Sequence, residues 1–242
     1  MRTLVANEFR KLRTARWPWV VLLAQQLLIV LGISGIVASG EDLRAPIADR
    51  LVLCHAGLSS LLVLVMGIMA VAGEYRDGTI TDTFLATPRR SRVIGAKLIA
   101  YTALGLVSGL ISAATAFTAA WFWFNAKGVS LDPASQDVWR TLLGVAVWMP
   151  IYAAIGVGLG ALFRSLAGAI TVALAWIALV EGIMMNLLGD LGRWLPMASG
   201  MALDNVPQNN LLPQLTGGIV LAAYAALFGV LALTFTSKRD VT

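Results

Sequence analysis

The sequence predicts an all-α integral membrane protein with six transmembrane helices, and three observations carry that reading. First, 58% of its 242 residues are drawn from AVILMFWYC and only 13% are charged, whereas soluble domains carry roughly 25% charged residues. A fold of this size in water would lack the polar side chains to cover its surface, and a mean hydropathy of +0.80 repeats the point. Second, the apolar residues gather into six runs, each near the roughly 20 residues that cross about 30 Å of hydrocarbon. Third, the chain left over is too short for a separate soluble domain of ordinary size. Residues 1–242 therefore read as one transmembrane domain, with any energy source or enzyme on another chain.

Composition also excludes chemistry. The single cysteine, Cys54, forms no intramolecular disulfide, and the single histidine, His55, leaves no His-rich metal site, so no cofactor or metal is expected on this chain. There is no G-x-x-x-x-G-K-[ST] to cradle ATP phosphates, no H-E-x-x-H and no G-x-S-x-G. Gly156-x-Gly158-x-Gly160 lies inside a span, where small residues let helices approach closely, as does Gly105-x-x-x-Gly109.

In chain order, residues 1–16 place Leu4, Val5, Phe9 and Leu12 within an arc of about 140° at helical spacing, with Arg2, Arg10, Lys11 and Arg13 outside it. This pattern predicts an amphipathic helix lying on the membrane interface, its basic groups reaching lipid phosphates. Glu8 falls inside the apolar arc, against the pattern. The spans follow at 17–38, 51–73, 98–124, 142–163, 166–188 and 215–236. The third, at about 40 Å as a helix, must tilt or project. Pro150 should kink the fourth.

Of the 18 Lys and Arg, only Arg44, Arg50, Lys127, Arg140 and Arg193 lie on one side of this topology. The rest, including Arg76, Arg89, Arg90, Arg92, Lys97, Arg164, Lys238 and Arg239, lie on the other, which the positive-inside rule assigns to the cytoplasm together with both termini. The net charge of +5 is thus a topology signal and implies no nucleic-acid partner. Trp17, Trp19, Trp121, Trp123, Trp139 and Trp194 fall at span ends as interface anchors.

Between spans two and three, GEYRDGTITDTFLATPRRSRVIGAK (73–97) contains a helix start at Thr79 with Asp82, Ile80 and Phe84 four apart on one face, and Pro88 to stop the helix near Ala86. A two-turn amphipathic helix is expected, followed by a basic run. A plain connector would not hold Ile80, Phe84 and Leu85 exposed in the cytoplasm. Such a face is either a docking surface for a soluble partner or is packed on the protein's own spans or on the membrane surface.

Glu181 is the one acid inside a span. A carboxyl at that depth costs about 2.5–3.5 kcal/mol on insertion scales. Two readings are open: a polar contact in or near a cargo path, or a cap or pair for the segment that follows, where Arg193 is the nearest cation in sequence. That segment is too apolar for a free loop, yet Gly189, Gly192 and Pro196 break it, which fits short helices dipping back into the outer leaflet. Met184 and Met185 either line an adaptable apolar path or pack in the ordinary way. With Glu181 and Trp194 they mark the candidate cargo path or outer gate.

The arrangement Glu74, Gly78-Thr79, Pro88, Ser91-Arg92 and Lys97, with EFRKLRTAR running into span one and LGALFRSLAGA between spans four and five, resembles the permease subunits of type-2 ATP-binding-cassette transporters across the whole chain. The resemblance implies a half-transporter in the cell (plasma) membrane, with two permeases (a second copy or a paralogue) and two separate nucleotide-binding ATPase subunits per complex. It implies that Thr79 to Ala86 is the coupling helix that contacts the ATPase, including Ile80, Phe84 and Leu85, with Glu74 and Arg92 as flanking polar contacts, and that re-entrant helices close the outer end. The function expected is export of a hydrophobic or amphipathic cargo (a drug, peptide antibiotic or lipid), as in multidrug efflux and antibiotic resistance. Alternatives are an ATPase-coupled role in signalling or extraction, and an ion-driven secondary transporter, which would need more intramembrane charge than Glu181 alone.

Overall fold

The computed structural model describes residues 1–87 and 89–238. Pro88, Arg239 and the Lys238 side chain, which carry expectations stated above, lie outside the described residues. Among the described residues every regular element is helical, and six helices are long and apolar enough to cross a membrane.

Helix α1 (Arg2–Thr14) precedes the first span, α2 (Trp17–Ala38). The second span, Ala48–Arg76, is built from α3 (Ala48–Leu53), a 3₁₀ stretch over Cys54–Ser59, and α4 (Ser60–Arg76). Gly78, at φ +72°, turns the chain into α5 (Ile80–Ala86), the short helix expected between spans two and three. The third span is α6 (Arg90–Ala126) and the fourth is α7 (Gln136–Phe163), helical straight through Pro150. Arg164, in the left-handed region at φ 54°, closes α7, and the Ser165 hydroxyl accepts from Gly168 N–H at 3.2 Å to start the fifth span. That span combines α8 (Leu166–Ala175), a π-helical turn over Trp176–Glu181, and α9 (Gly182–Leu187). A 3₁₀ turn (Gly189–Trp194) and α10 (Pro196–Leu203) then fold back against spans four and six before α11 (Gln214–Lys238).

Spans two to four extend beyond the boundaries read from hydropathy because helices do not stop where hydrocarbon does. At 1.5 Å per residue the 37-residue α6 is about 55 Å long, so its first two turns carry Arg90, Arg92 and Lys97 on helical backbone rather than on a loop.

Spans two and four form the centre: 67% of each apolar window is buried, against 17–33% for the other four. Glycine makes that close packing possible. A Cβ on Gly67 would strike Ala153 O and the Gly156 backbone, one on Gly156 would strike Leu64 O, and one on Gly160 would strike Ile68 O. Gly105 and Gly109 of α6 meet Pro150 and Ala146 of α7 in the same way. Span one is tied in by a polar knot. The Gln25 side chain, fully buried, reaches Ser112 Oγ (2.8 Å), Ser59 Oγ (3.3 Å) and Met149 Sδ (3.0 Å) through Nε2, while its Oε1 accepts from Ser108 Oγ at 2.7 Å.

Candidate functional site

Glu8, the residue that broke the amphipathic pattern of α1, is buried because it has a cation to meet. Lys97, one turn from the apolar stretch of α6, has a side chain only 1% exposed, and its Nζ donates to Glu8 Oε2 at 3.1 Å and to Glu74 Oε1 at 2.7 Å. Lys11, one turn after Glu8, donates to Glu8 Oε1 at 2.9 Å and to Glu74 Oε1 at 2.8 Å. The four groups close a neutral ring of alternating sign: Glu8 and Lys11 from α1, Glu74 from the last turn of α4, and Lys97 from α6. Burial opposes the Lys11 ammonium, but hydrogen bonds to Glu74 and Glu8, together with their charges, outweigh it and raise the pKa above the ordinary 10.5. A buried charge is tolerable only when paired and hydrogen-bonded, so the ring holds α1 in one place against spans two and three. Around it, Leu12 packs with Val71, Ile94 and Tyr101, and Trp17 stacks on Tyr101 at 6.4 Å.

Helix α5 lies beside this ring. Ile80 and Phe84 are buried, packing with Val93 and Tyr75, and Arg90 lies over the Phe84 ring at 5.3 Å. Of the two readings left open for this face, packing on the protein's own spans holds for Ile80 and Phe84, which find cover within their own chain. Leu85 alone of the three stays outward, 76% exposed. Thr79 is exposed, its carbonyl accepting from the Thr83 N–H and hydroxyl at 3.2 Å each, and its side chain does not cap the helix. Arg92 is exposed, whereas Glu74 turns inward to the ring. Arg164, at the hairpin between spans four and five, lies over Tyr75 at 5.6 Å. The result is one end of the bundle at which α1 packs on α6 and α5 on α4 and α6, with Leu85, Asp82, Thr79 and Arg92 on its surface.

At the opposite end, Glu181 is 1% exposed and its two oxygens accept from Met197 N–H (2.6 Å) and Trp176 Nε1–H (3.0 Å). It caps the first turn of α10, which is the cap anticipated for the segment that follows. Arg193 is not its partner and lies instead 3.8 Å from Asp190. Trp194 contributes its carbonyl to Tyr224 Oη at 3.3 Å, Met185 presents backbone to Gly192, and Met184 is part-buried nearby.

Two groups here escaped the sequence reading. Lys97 stood in the motif that carries the family resemblance but among no candidate site residues, and only the misplaced Glu8 hinted at its burial. Asp204 follows α10 and is fully buried, wedged against Gly57 beneath Trp148, with no protein partner for either oxygen among the described residues. Burial pushes its pKa well above the ordinary 3.8.

Compared with known families, residues 4–182 match the profile described as ABC-2 family transporter protein. No curated protein matches the chain.

Proposed function

The chain belongs to the ABC-2 transporter family, and from that premise we propose that it is the permease subunit of an ATP-driven exporter, moving a hydrophobic or amphipathic cargo outward. Its partners are two nucleotide-binding ATPase subunits and a second permease, and both of its termini face the cytoplasm. The observation that carries this reading is the neutral ring of Glu8, Lys11, Glu74 and Lys97 beside α5. The ring fixes the interfacial helix on the bases of spans two and three, and Ile80 and Phe84 seat α5 on those same bases through Tyr75 and Val93, so a push on α5 would be delivered to spans two and three rather than absorbed by a loose loop. Leu85, exposed between the acidic Asp82 and the basic Arg89 to Arg92, is the contact left for the ATPase. Ile80 and Phe84 act from beneath by seating α5, and Glu74 acts through the ring. Glu181, Met184, Met185 and Trp194 belong to the outer closure, in which the 3₁₀ turn and α10 dip back toward the bilayer.

The test is affinity purification of the full chain with a photo-crosslinking residue at position 85. We expect crosslinking to a P-loop ATPase whose ATP hydrolysis copurifies, and loss of both in Leu85→Asp while the permease stays folded. Undiminished ATPase copurification with Leu85→Asp would refute the assignment of α5.

A further inference from the structure

A cavity of about 280 Å³ lies within a single protomer, among spans two, four, five and six below α10. Five aromatic rings wall it: Tyr152 and Phe163 of α7, Trp176 of the π-helical turn, and Tyr224 and Phe228 of α11. Among the described residues, the only charged side chain lining it is Glu181. Both Glu181 oxygens accept neutral N–H donors, and among the described residues no Lys or Arg pairs with it. The carboxylate is therefore hydrogen-bonded but lacks a counter-charge, on the wall of an otherwise apolar chamber.

The backbone is shaped for this arrangement. In an α-helix, residues five apart point about 140° away from each other, so Trp176 and Glu181 could not meet. The π-helical turn over Trp176–Glu181 brings them together, with the indole N–H donating to Oε1 at 3.0 Å. Such turns interrupt the regular α-helical hydrogen bonding and are frequent at functional sites. Phe163 and Trp176, 43% and 46% exposed, border the opening on the flank of the bundle, the side from which a membrane-dissolved molecule would enter.

We propose that this chamber binds a protonated hydrophobic amine, its ammonium on Glu181 and its apolar body among the aromatic rings. Aromatic faces attract a desolvated cation, and a carboxylate supplies the charge-assisted hydrogen bond. A neutral or anionic lipid-like molecule gains neither. The volume is at the small end of ligand pockets, roughly 300–1,000 Å³, which selects a single-ring arylalkyl amine over a polycycle. This proposal rests on the export reading and narrows its cargo class.

The experiment is equilibrium titration of the full chain in phosphatidylcholine nanodiscs, without ATP or partner, using 4-phenylbutylamine and 4-phenylbutanol, with empty nanodiscs subtracted. Expected are saturable amine binding at one site per chain and binding of the alcohol at least tenfold weaker. Glu181→Gln should reduce the amine to the level of the alcohol. Ala173→Leu, which fills the cavity wall without touching the Glu181 hydrogen bonds, should abolish both and decides the matter if Glu181→Gln does not fold. Equal affinity for amine and alcohol, no saturable binding above empty nanodiscs, or amine binding unchanged in a folded Ala173→Leu or Glu181→Gln chain would each overturn the proposal. Because ATP and the ATPase are absent, such a result leaves the export reading standing. Confirmed binding without ATP-driven amine flux in the full complex would instead count against export.

Discussion

Replacing Lys97 with methionine removes the cation that receives both carboxylates of the buried ring. Its Nζ lies 2.7 Å from Glu74 and 3.1 Å from Glu8. Without it, two carboxylates whose side chains are 7% and 15% exposed share Lys11 alone, which is 50% exposed. Deleting one partner of a buried ion pair costs about 3–5 kcal/mol, because the other charge stays desolvated. Two of the four ring members come from α1, and its principal apolar anchor is Leu12, worth about 1.5–3 kcal/mol when buried. The loss is therefore of the same size as everything else holding α1 down, and the helix should undock before the spans unfold. At about 1.4 kcal/mol per factor of ten, amide exchange across residues 2–14 should quicken by on the order of a hundredfold or more. Hydrogen–deuterium exchange with mass spectrometry on the full chain in nanodiscs reads this directly, with the peptides of spans two and four as internal controls. Adding Glu8→Leu to Lys97→Met removes one charge of each sign and leaves the Lys11–Glu74 pair at 2.8 Å. The double variant should recover protection, with a coupling energy of about 0.5–3 kcal/mol between the two positions. Unchanged exchange in Lys97→Met, or strictly additive effects in the double variant, would refute the ring as the element that docks α1.

Two further perturbations probe the rest of the structure. Burial holds the folded pKa of Asp204 above its unfolded value. Wild-type stability is therefore fully present below about pH 4 and falls by up to about 1.4 kcal/mol per pH unit as pH rises between the unfolded and folded values. Asp204→Asn should flatten that slope in thermal unfolding measured from pH 5 to 8, and an identical slope in both proteins would show that the carboxyl is solvated. At the contact of spans two and four, Gly156→Val places methyls against Leu64 O and Gly67 and should cost at least the roughly 1–3 kcal/mol of an overpacked core. Gly35→Ala, where a Cβ meets nothing within 4 Å, should be neutral. Equal melting temperatures for the two variants would contradict the packing described.

The two short helices Arg2–Thr14 and Ile80–Ala86 were legible in sequence because amphipathic spacing is a local property, visible wherever apolar residues recur at helical intervals. Which faces are covered was not. Whether Ile80 and Phe84 face a partner or their own chain stayed open because nothing local shows that Tyr75 and Val93 converge on them. Met184 and Met185 were grouped with Glu181, but the chamber that Glu181 lines is walled by Tyr152, Trp176 and Tyr224 from three different spans. Gln25 in span one finds its partners Ser59, Ser108 and Ser112 at 34 to 87 residues' distance along the chain, which no local pattern shows.

Composition and hydropathy by themselves determined that this chain carries six stretches long and apolar enough to cross a membrane, because transfer of apolar side chains to hydrocarbon is additive and nearly indifferent to what lies beside them. Tertiary structure alone decided how the scarce charges are spent. Glu8, Lys11, Glu74 and Lys97 form a ring, Glu181 caps α10, and Asp204 has no hydrogen-bond partner among the described residues. The fate of a charge in a low-dielectric interior depends on the few ångströms to its nearest partner, and for Glu8 and Lys97 that partner is 89 residues away along the chain.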